Sequence, residues 1–369
     1  MTHVSSLYLH VPFCKHLCNY CDFYKRKIDT TQNQFEDFHQ FLKESVVHHQ
    51  NFLKCHDFSW APLESIYLGG GTPSLWGERG ASFFEREVLQ APIQRGAEFT
   101  MEIDPGTWTL EMIEAWKAVG LNRISVGTQS LNPDFLKILD RVHSLEETLG
   151  FLTYLKEENW NYSLDFLLGV PFSIEKNRDI RSELDKLLHY SPKHISLYIL
   201  NARSKYPYIQ HMPDDHYIRE EYLFVSDYLK AKGFHHYEVS NFALPGFESK
   251  HNFKYWRGES VAALGPTGTG YLSKSSTEAV RYKWKVSQAE VEIENLTEKE
   301  LSLERLYLGL RTSDGFQMTQ DLTCLVESWS QQKYVTLEGN VIKLTSLGYL
   351  MLDSLMDDLF RFENQSGNR

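Results

Sequence analysis

The chain has no excess of basic residues: 38 Lys and Arg stand against 49 Asp and Glu, a formal charge of −11. Without a basic face there is no electrostatic footprint for nucleic acid, and none is expected as a partner. No apolar run approaches the roughly 20 residues needed to span a bilayer, so no transmembrane segment is expected. The opening MTHVSSLYLHVPF lacks a basic n-region and a long apolar core; it reads as a first strand, not a secretory signal. Cysteine is scarce, with five in 369 residues. That is too few for a disulfide framework and implies a reducing, cytoplasmic setting. A hydrophobic fraction of 42% and this length suit a large α/β domain with a smaller companion.

What cysteine there is lies together. Residues 10–24 read HVPFCKHLCNYCDFY, with Cys14, Cys18 and Cys21 in a C-x3-C-x2-C array. Thiolates are soft ligands for zinc or an iron–sulfur cluster. A structural zinc site wants four ligands, and His10 or His16 is the neighbour able to complete Cys3His. A cubane on three cysteines instead leaves one iron open to a small chelating molecule. Cys55 and Cys324 stand apart and read as plain thiols.

Short apolar, β-branched runs recur at 6–11, 65–71, 99–104, 123–130, 163–170 and 194–200, with a seventh candidate at 235–242. Helical patterns lie between them. In TLEMIEAWKAVG, Met112, Ile113, Trp116 and Val119 share a face and Gly120 marks the stop. Asn132 and Pro133 open another helix as N-cap and first residue. The alternation predicts an α/β fold with parallel strands, as a partial, open (β/α)6-type barrel. Chemistry in such folds sits at the carboxyl ends of strands, where the cysteines, a glycine run and Glu102 fall. Past residue 245 the texture changes to aromatic and glycine-rich, then to a charged amphipathic helix and a hairpin turning at Glu338-Gly339-Asn340. The expected division is therefore 1–245 and 246–369, the latter a smaller α+β, winged-helix-like module.

GGGTPS (69–74) directly follows a predicted strand, where glycines let a ligand approach the backbone. Together with C-x3-C-x2-C after the first strand, it resembles the radical S-adenosylmethionine (SAM) enzymes. The resemblance implies a 4Fe–4S cluster on Cys14, Cys18 and Cys21, with SAM chelating the open iron and cleaved to a 5′-deoxyadenosyl radical. MEIDPGT (101–107), NRISVGTQSLNPDFLKILDRVHS (122–144) and LDFLLGVPF (164–172) are similar to the HemN/HemW branch. That pattern implies SAM contacts from Glu102, Gln129, Arg141 and Asp165, and from Gly70, Gly71 and Thr72. It places Tyr20 on the adenine, Tyr8 and His10 beside the cluster, and Tyr8 also among the SAM contacts.

Two features separate members of the branch. Oxygen-independent coproporphyrinogen III oxidases of the HemN type carry a further cysteine where this chain has Phe23, and an extension before the first strand. HHYEVSNFALPGFESKHNFKYW (235–256) instead resembles the HemW haem-chaperone group through H-N-x-x-Y-W, here His251 to Trp256. The resemblance implies haem or a related tetrapyrrole as cargo, His251 as candidate ligand, membrane haemoproteins as recipients, transient membrane association and an electron donor. Departures accompany it. Thr269 stands where the group has a histidine, GVPFSIEKNR lacks a glutamine, and LYILNARSKYPY lacks a Glu-Pro. A porphyrin-directed radical SAM enzyme, a HemN-like methyltransferase with a second SAM, and a purely structural iron–sulfur or zinc protein are the competing expectations.

Overall fold

The structure, a computed structural model, describes residues 2–29, 33–318 and 322–366. Six strands stand in space in the order in which they occur in the chain: β1 (Thr2–Val11), β2 (Phe58–Gly70), β3 (Ile93–Ile103), β4 (Arg123–Gln129), β5 (Asn161–Leu168) and β6 (His194–Ile199). Every pairing among them is parallel. Helices such as Gln34–Cys55, Leu110–Val119, Leu145–Glu157 and Ile180–His189 carry the crossovers. Sequential order with crossovers of one hand puts all helices on one face, so the sheet curls about the other.

The period of two along each strand divides the chemistry. Leu7 and Leu9, Ile66 and Leu68, Phe99 and Met101, Ile124 and Val126, and Leu164 and Phe166 face the helices and form the main core with Ile113, Trp116, Phe151 and Leu184. The intervening positions line the lumen and are polar, among them Tyr8, His10, Tyr67, Glu102, Ser125 and Asp165. Helix starts follow local rules. Asn132 accepts from Asp134 N ahead of Pro133, and Ser144 and Glu147 form a capping box.

The sheet ends rather than closes. Asn241–Ala243 and His235–Glu238 extend it antiparallel beyond β6, and Ala262–Leu264 lies parallel beside β1. The expected strand at 235–242 is thus two short strands. Residues 269–296 form an antiparallel sheet of three strands, Thr269–Ser273, Ala279–Trp284 and Val291–Leu296. Its Leu272, Val280, Tyr282 and Trp284 belong to the main core. Single buried aromatics between charges, as in RYKWKV, disguised these strands. A separate core of Leu306, Val326, Trp329, Ile342 and Leu355 belongs to the last segment. There, helix Glu298–Leu310, helix Thr323–Gln331 and the hairpin Val335–Glu338/Val341–Leu344 make the winged-helix-like arrangement. Among the described residues no helix is long and apolar enough to cross a membrane.

Candidate functional site

Two cavities occupy the lumen and its rim. The first, about 380 Å³, is lined by Cys14, Cys18 and Cys21 together with Tyr20, Gly70, Gly71, Thr72, Glu102, Gln129, Arg141 and Asp165. Every residue expected around the cluster and SAM is gathered here except Tyr8 and His10. The second, about 720 Å³, is walled by Tyr8, His10, Tyr67, His251, Tyr255 and Trp256, and Thr269 also faces it. Glu102, Tyr198, Asp22 and Phe23 line both.

The cysteine loop is seated on the glycine run. Gly71 N donates to Val11 O (2.8 Å) and Thr72 N to Phe13 O (2.6 Å). The Thr72 hydroxyl donates to Cys14 Sγ at 3.7 Å. A Cβ on Gly71 would lie 2.6 Å from Phe13 O, and one on Gly70, whose φ is +112°, would lie 2.5 Å from the His10 ring. These glycines are therefore required by loop packing. The Gly70 N–H is spent on Glu102 Oε2 (3.0 Å). Burial pushes the Cys14 thiol up to about 11 and raises Cys18, so metal entry must displace protons.

The donor set discriminates between metals. His10 Nε2 engages Tyr24 O (2.9 Å), its Nδ1 faces Tyr8 OH (3.1 Å), and His16 Nε2 lies 2.8 Å from Asp140. Both candidate fourth ligands for zinc are thus turned elsewhere. Three thiols on an open cavity fit a cluster that leaves one metal position for a ligand.

Beside the thiols, Arg141 pairs with Asp104 and donates to Gly127 O (3.1 Å), Tyr20 OH (3.3 Å) and Cys18 Sγ (3.9 Å). Burial alone would raise Asp104, but the His143 hydrogen bond and the Arg141 charge outweigh it and hold Asp104 low. Glu102 accepts from Tyr67 OH (2.9 Å), and Ser125 Oγ donates to Asp165 (3.1 Å). Burial, then the Asp165 charge, lifts Glu102 to about 7; burial lifts Asp165 to about 6. Gln129 sits at a register shift in β4 with φ +61°, a strained backbone that turns its side chain to the cavity wall.

His251 is fully buried and belongs to the second cavity. Its helix, Lys250–Trp256, is capped by Glu98, which accepts from Lys250 N and His251 N at 3.0 Å each. The His251 ring stacks on Tyr67 (5.3 Å). Ser65 Oγ donates to Ser6 Oγ (3.0 Å) and so meets His251 Nδ1, at 2.9 Å, as an acceptor. The proton then resides on Nδ1, and Nε2 is a bare lone pair without a hydrogen-bond partner among the described residues. Burial lowers this imidazole to about 3, so it is neutral at physiological pH.

Asp104, Tyr67, Ser125 and Tyr198 escaped the sequence reading. Stepping by two from Glu102 reaches Asp104, and stepping by two from Gly69 reaches Tyr67, so the strand period carried that signal. The Ser65–His251 contact carried none, being 186 residues apart in sequence.

A partial parallel barrel with a three-cysteine loop after β1 defines the radical SAM class, and residues 8–184 match the Radical SAM superfamily model. The chain belongs to the HemW haem-chaperone family within that superfamily. It is 31% identical over 333 residues to the haem chaperone HemW of Lactococcus lactis, covering 84% of this chain and 82% of that protein. With HemW of Bacillus subtilis it shares 30% over 330 residues, covering 85% and 84%. A mitochondrial radical SAM domain-containing protein 1 of Danio rerio is 26% identical, covering 95% and 86%. Among solved structures, the coproporphyrinogen III oxidase HemN of Escherichia coli superposes with a TM-score of 0.77, at 16% identity, over 96% of this chain and 89% of that one. The last likeness concerns the fold.

Proposed function

We propose that this chain holds a 4Fe–4S cluster on Cys14, Cys18 and Cys21, binds SAM beside it, and carries haem in the adjoining cavity for delivery to haemoproteins. The observation that supports this most is the pair of cavities sharing Glu102 and Tyr198: one is rimmed by thiols, the other walled by aromatics around an imidazole with an unpartnered Nε2. When bound, the cluster supplies one electron and an open metal position for a chelating ligand.

The protein's own residues bind and orient. Arg141, already fixed by Asp104, presents its positive edge to a carboxylate. Asp165 and Glu102 accept from hydroxyl and ammonium groups, and Tyr20 offers a face to an adenine. In the second cavity Tyr8, Tyr67, Tyr255 and Trp256 offer apolar faces to a planar macrocycle. His251 offers a neutral imidazole whose tautomer is fixed from behind, as metal-binding histidines require. Leaving Nε2 unsatisfied costs about 1–3 kcal/mol, a cost that a bound metal removes. Delivery to membrane haemoproteins entails a cytoplasmic carrier that meets the membrane only transiently.

Anaerobic reconstitution followed by haem titration tests the reading. A stoichiometric Soret band in wild type that is lost in His251→Ala supports it; no haem binding overturns it. A second reading, a radical SAM enzyme acting on a porphyrin, is favoured by the contact between the cavities, which sets a ligand of one beside a ligand of the other. Formation of 5′-deoxyadenosine together with porphyrin turnover would decide for it.

A further inference from the structure

The second cavity has two unlike sides. One is aromatic and carries His251. The other is the strand pair Thr269–Ser273 and Ala279–Trp284, in which Thr269 stands opposite Lys283 and Tyr271 opposite Arg281. Residues directly opposite each other share one face of a sheet, and all four line the cavity. The alternate positions, Leu272, Val280, Tyr282 and Trp284, turn to the main core. This face is fastened just beyond the His251 helix, because Val261 and Tyr271 exchange two backbone hydrogen bonds, at 2.8 and 2.9 Å.

The charges around the cavity are unevenly engaged. Arg281 and Lys283 are the only arginine and lysine among its described lining residues. Arg281 is held by two carboxylates, Glu294 (2.7 Å) and Glu304 (2.6 Å). Of the acids that line the cavity, Glu304 is thereby paired, Asp22 is paired with Arg203 (2.8 Å), and Glu102 accepts from Tyr67 OH (2.9 Å) and Gly70 N (3.0 Å). Lys283 is exposed and has no ion-pair or hydrogen-bond partner among the described residues. Of these charges, its ammonium alone is left for a ligand.

We propose that Lys283 is the carboxylate-binding residue of the second cavity, so that the ligand taken there is a planar aromatic macrocycle bearing anionic side chains. The proposal rests on the reading of that cavity as the haem site and adds what selects the ligand's edge. Aromatic faces and an imidazole grip the body of a macrocycle whatever its edge carries. A lysine on the opposite wall distinguishes a carboxylate from its ester, since the ester keeps the shape and loses the charge. The lysine stem suits this place, because it lies along apolar surface while its ammonium stays at the water. Thr269, directly opposite, is small, and its hydroxyl donates to Thr267 O (3.4 Å), which leaves the ammonium unengaged.

The test titrates the full chain with haem and with haem dimethyl ester, following the Soret band in the same detergent buffer at low salt. Wild type is expected to bind haem about fivefold or more tightly than the ester, and added salt narrows the gap. Lys283→Met keeps the stem and drops the charge at an exposed position. It is expected to lose the preference by weakening on haem alone, while Lys283→Arg keeps it. Equal affinity of wild type for the two ligands overturns the proposal, as does a preference that survives in Lys283→Met. Equal weakening of both ligands in Lys283→Met also overturns it, since that result assigns packing and not charge to the side chain. Tight but equal binding of both by wild type strikes Lys283 and leaves the haem reading standing; binding of neither overturns the haem reading with it.

Discussion

Arg141 and Asp104 form an ion pair buried between the cysteine loop and the end of β4, each side chain only 12% exposed. The pair ties three segments together, since Arg141 also reaches Tyr20 and Cys18 in the loop and Gly127 in β4. Arg141→Ala strands Asp104 in a buried site with only His143 and local amides for partners. Removing one member of a buried pair costs about 3–5 kcal/mol. The expected outcome is SAM affinity lowered at least tenfold, together with a loss of stability that Asp104→Asn in the same chain partly restores. Calorimetric SAM titration and urea denaturation of the single and double variants check it. Unchanged SAM affinity in Arg141→Ala removes Arg141 from the site.

Replacing any one of Cys14, Cys18 and Cys21 by alanine is expected to abolish the cluster, because two thiolates cannot hold it and His10 and His16 are turned away. Iron and sulfide analysis after anaerobic reconstitution reads the result. Full content in any of the three variants contradicts the ligand set.

The glycines beneath the loop give a prediction independent of any ligand. Gly71→Ala drives a methyl group against the Phe13 carbonyl, and backbone cannot yield as a side chain can. Overpacking of this kind costs about 1–3 kcal/mol, and the damage falls at the thiols. The expected result is a lower urea midpoint and poor cluster uptake; wild-type values in both would show that the seat is not needed.

Glu102 makes stability depend on pH with a definite sign. Its carboxyl is raised from 4.5 to about 7 in the fold, so the folded state binds more protons than the unfolded one between those values. Stability contributed by the neutral form is complete below about pH 4.5 and falls as pH rises through 7. Glu102→Gln abolishes that loss. Relative to wild type, the ligand-free variant should gain on the order of 2–3 kcal/mol between pH 4.5 and pH 8. Denaturant unfolding at the two pH values measures it, and a pH-independent difference between the two proteins rules it out.

Ser65→Ala removes the acceptor that holds the proton of His251 on Nδ1. Loss of such a supporting partner lowers metal affinity about 10–100-fold. Haem affinity should fall by that factor without a change in stoichiometry, and 15N spectra of the ligand-free protein should show the His251 tautomer redistributed. An unaltered tautomer would break the link between Ser65 and Nε2.

Much of this molecule was legible in one dimension. The six parallel strands, the caps at Asn132 and Gly120, and the hairpin at Glu338–Asn340 follow from local rules of alternation, capping and turn chemistry. The residues of the first cavity were legible through family likeness, because they cluster in short segments at strand ends. What was hidden is what depends on packing across distance. Tyr8 alternates correctly into the lumen, yet only the curl of the sheet decides that it faces the second cavity. Residues 269–296 fold onto the main core because Tyr282 and Trp284 find buried acceptors at Ala263, which no periodicity reveals. Asp104, two places beyond Glu102, was within reach of the strand period and was passed over.

The alternation of apolar and polar side chains along β1 to β6 also governs how the chain can change by descent. One residue inserted within β3 ahead of Glu102 would send Glu102 among the helices and bring a core residue into the lumen, reversing every later position of that strand. The same insertion between strands would lengthen a surface connection and leave both cavities as they are. Length variation among relatives should therefore accumulate in the connections, such as those between β1 and β2 or between β6 and Asp215. The strands should keep their lengths even where few of their residues are shared.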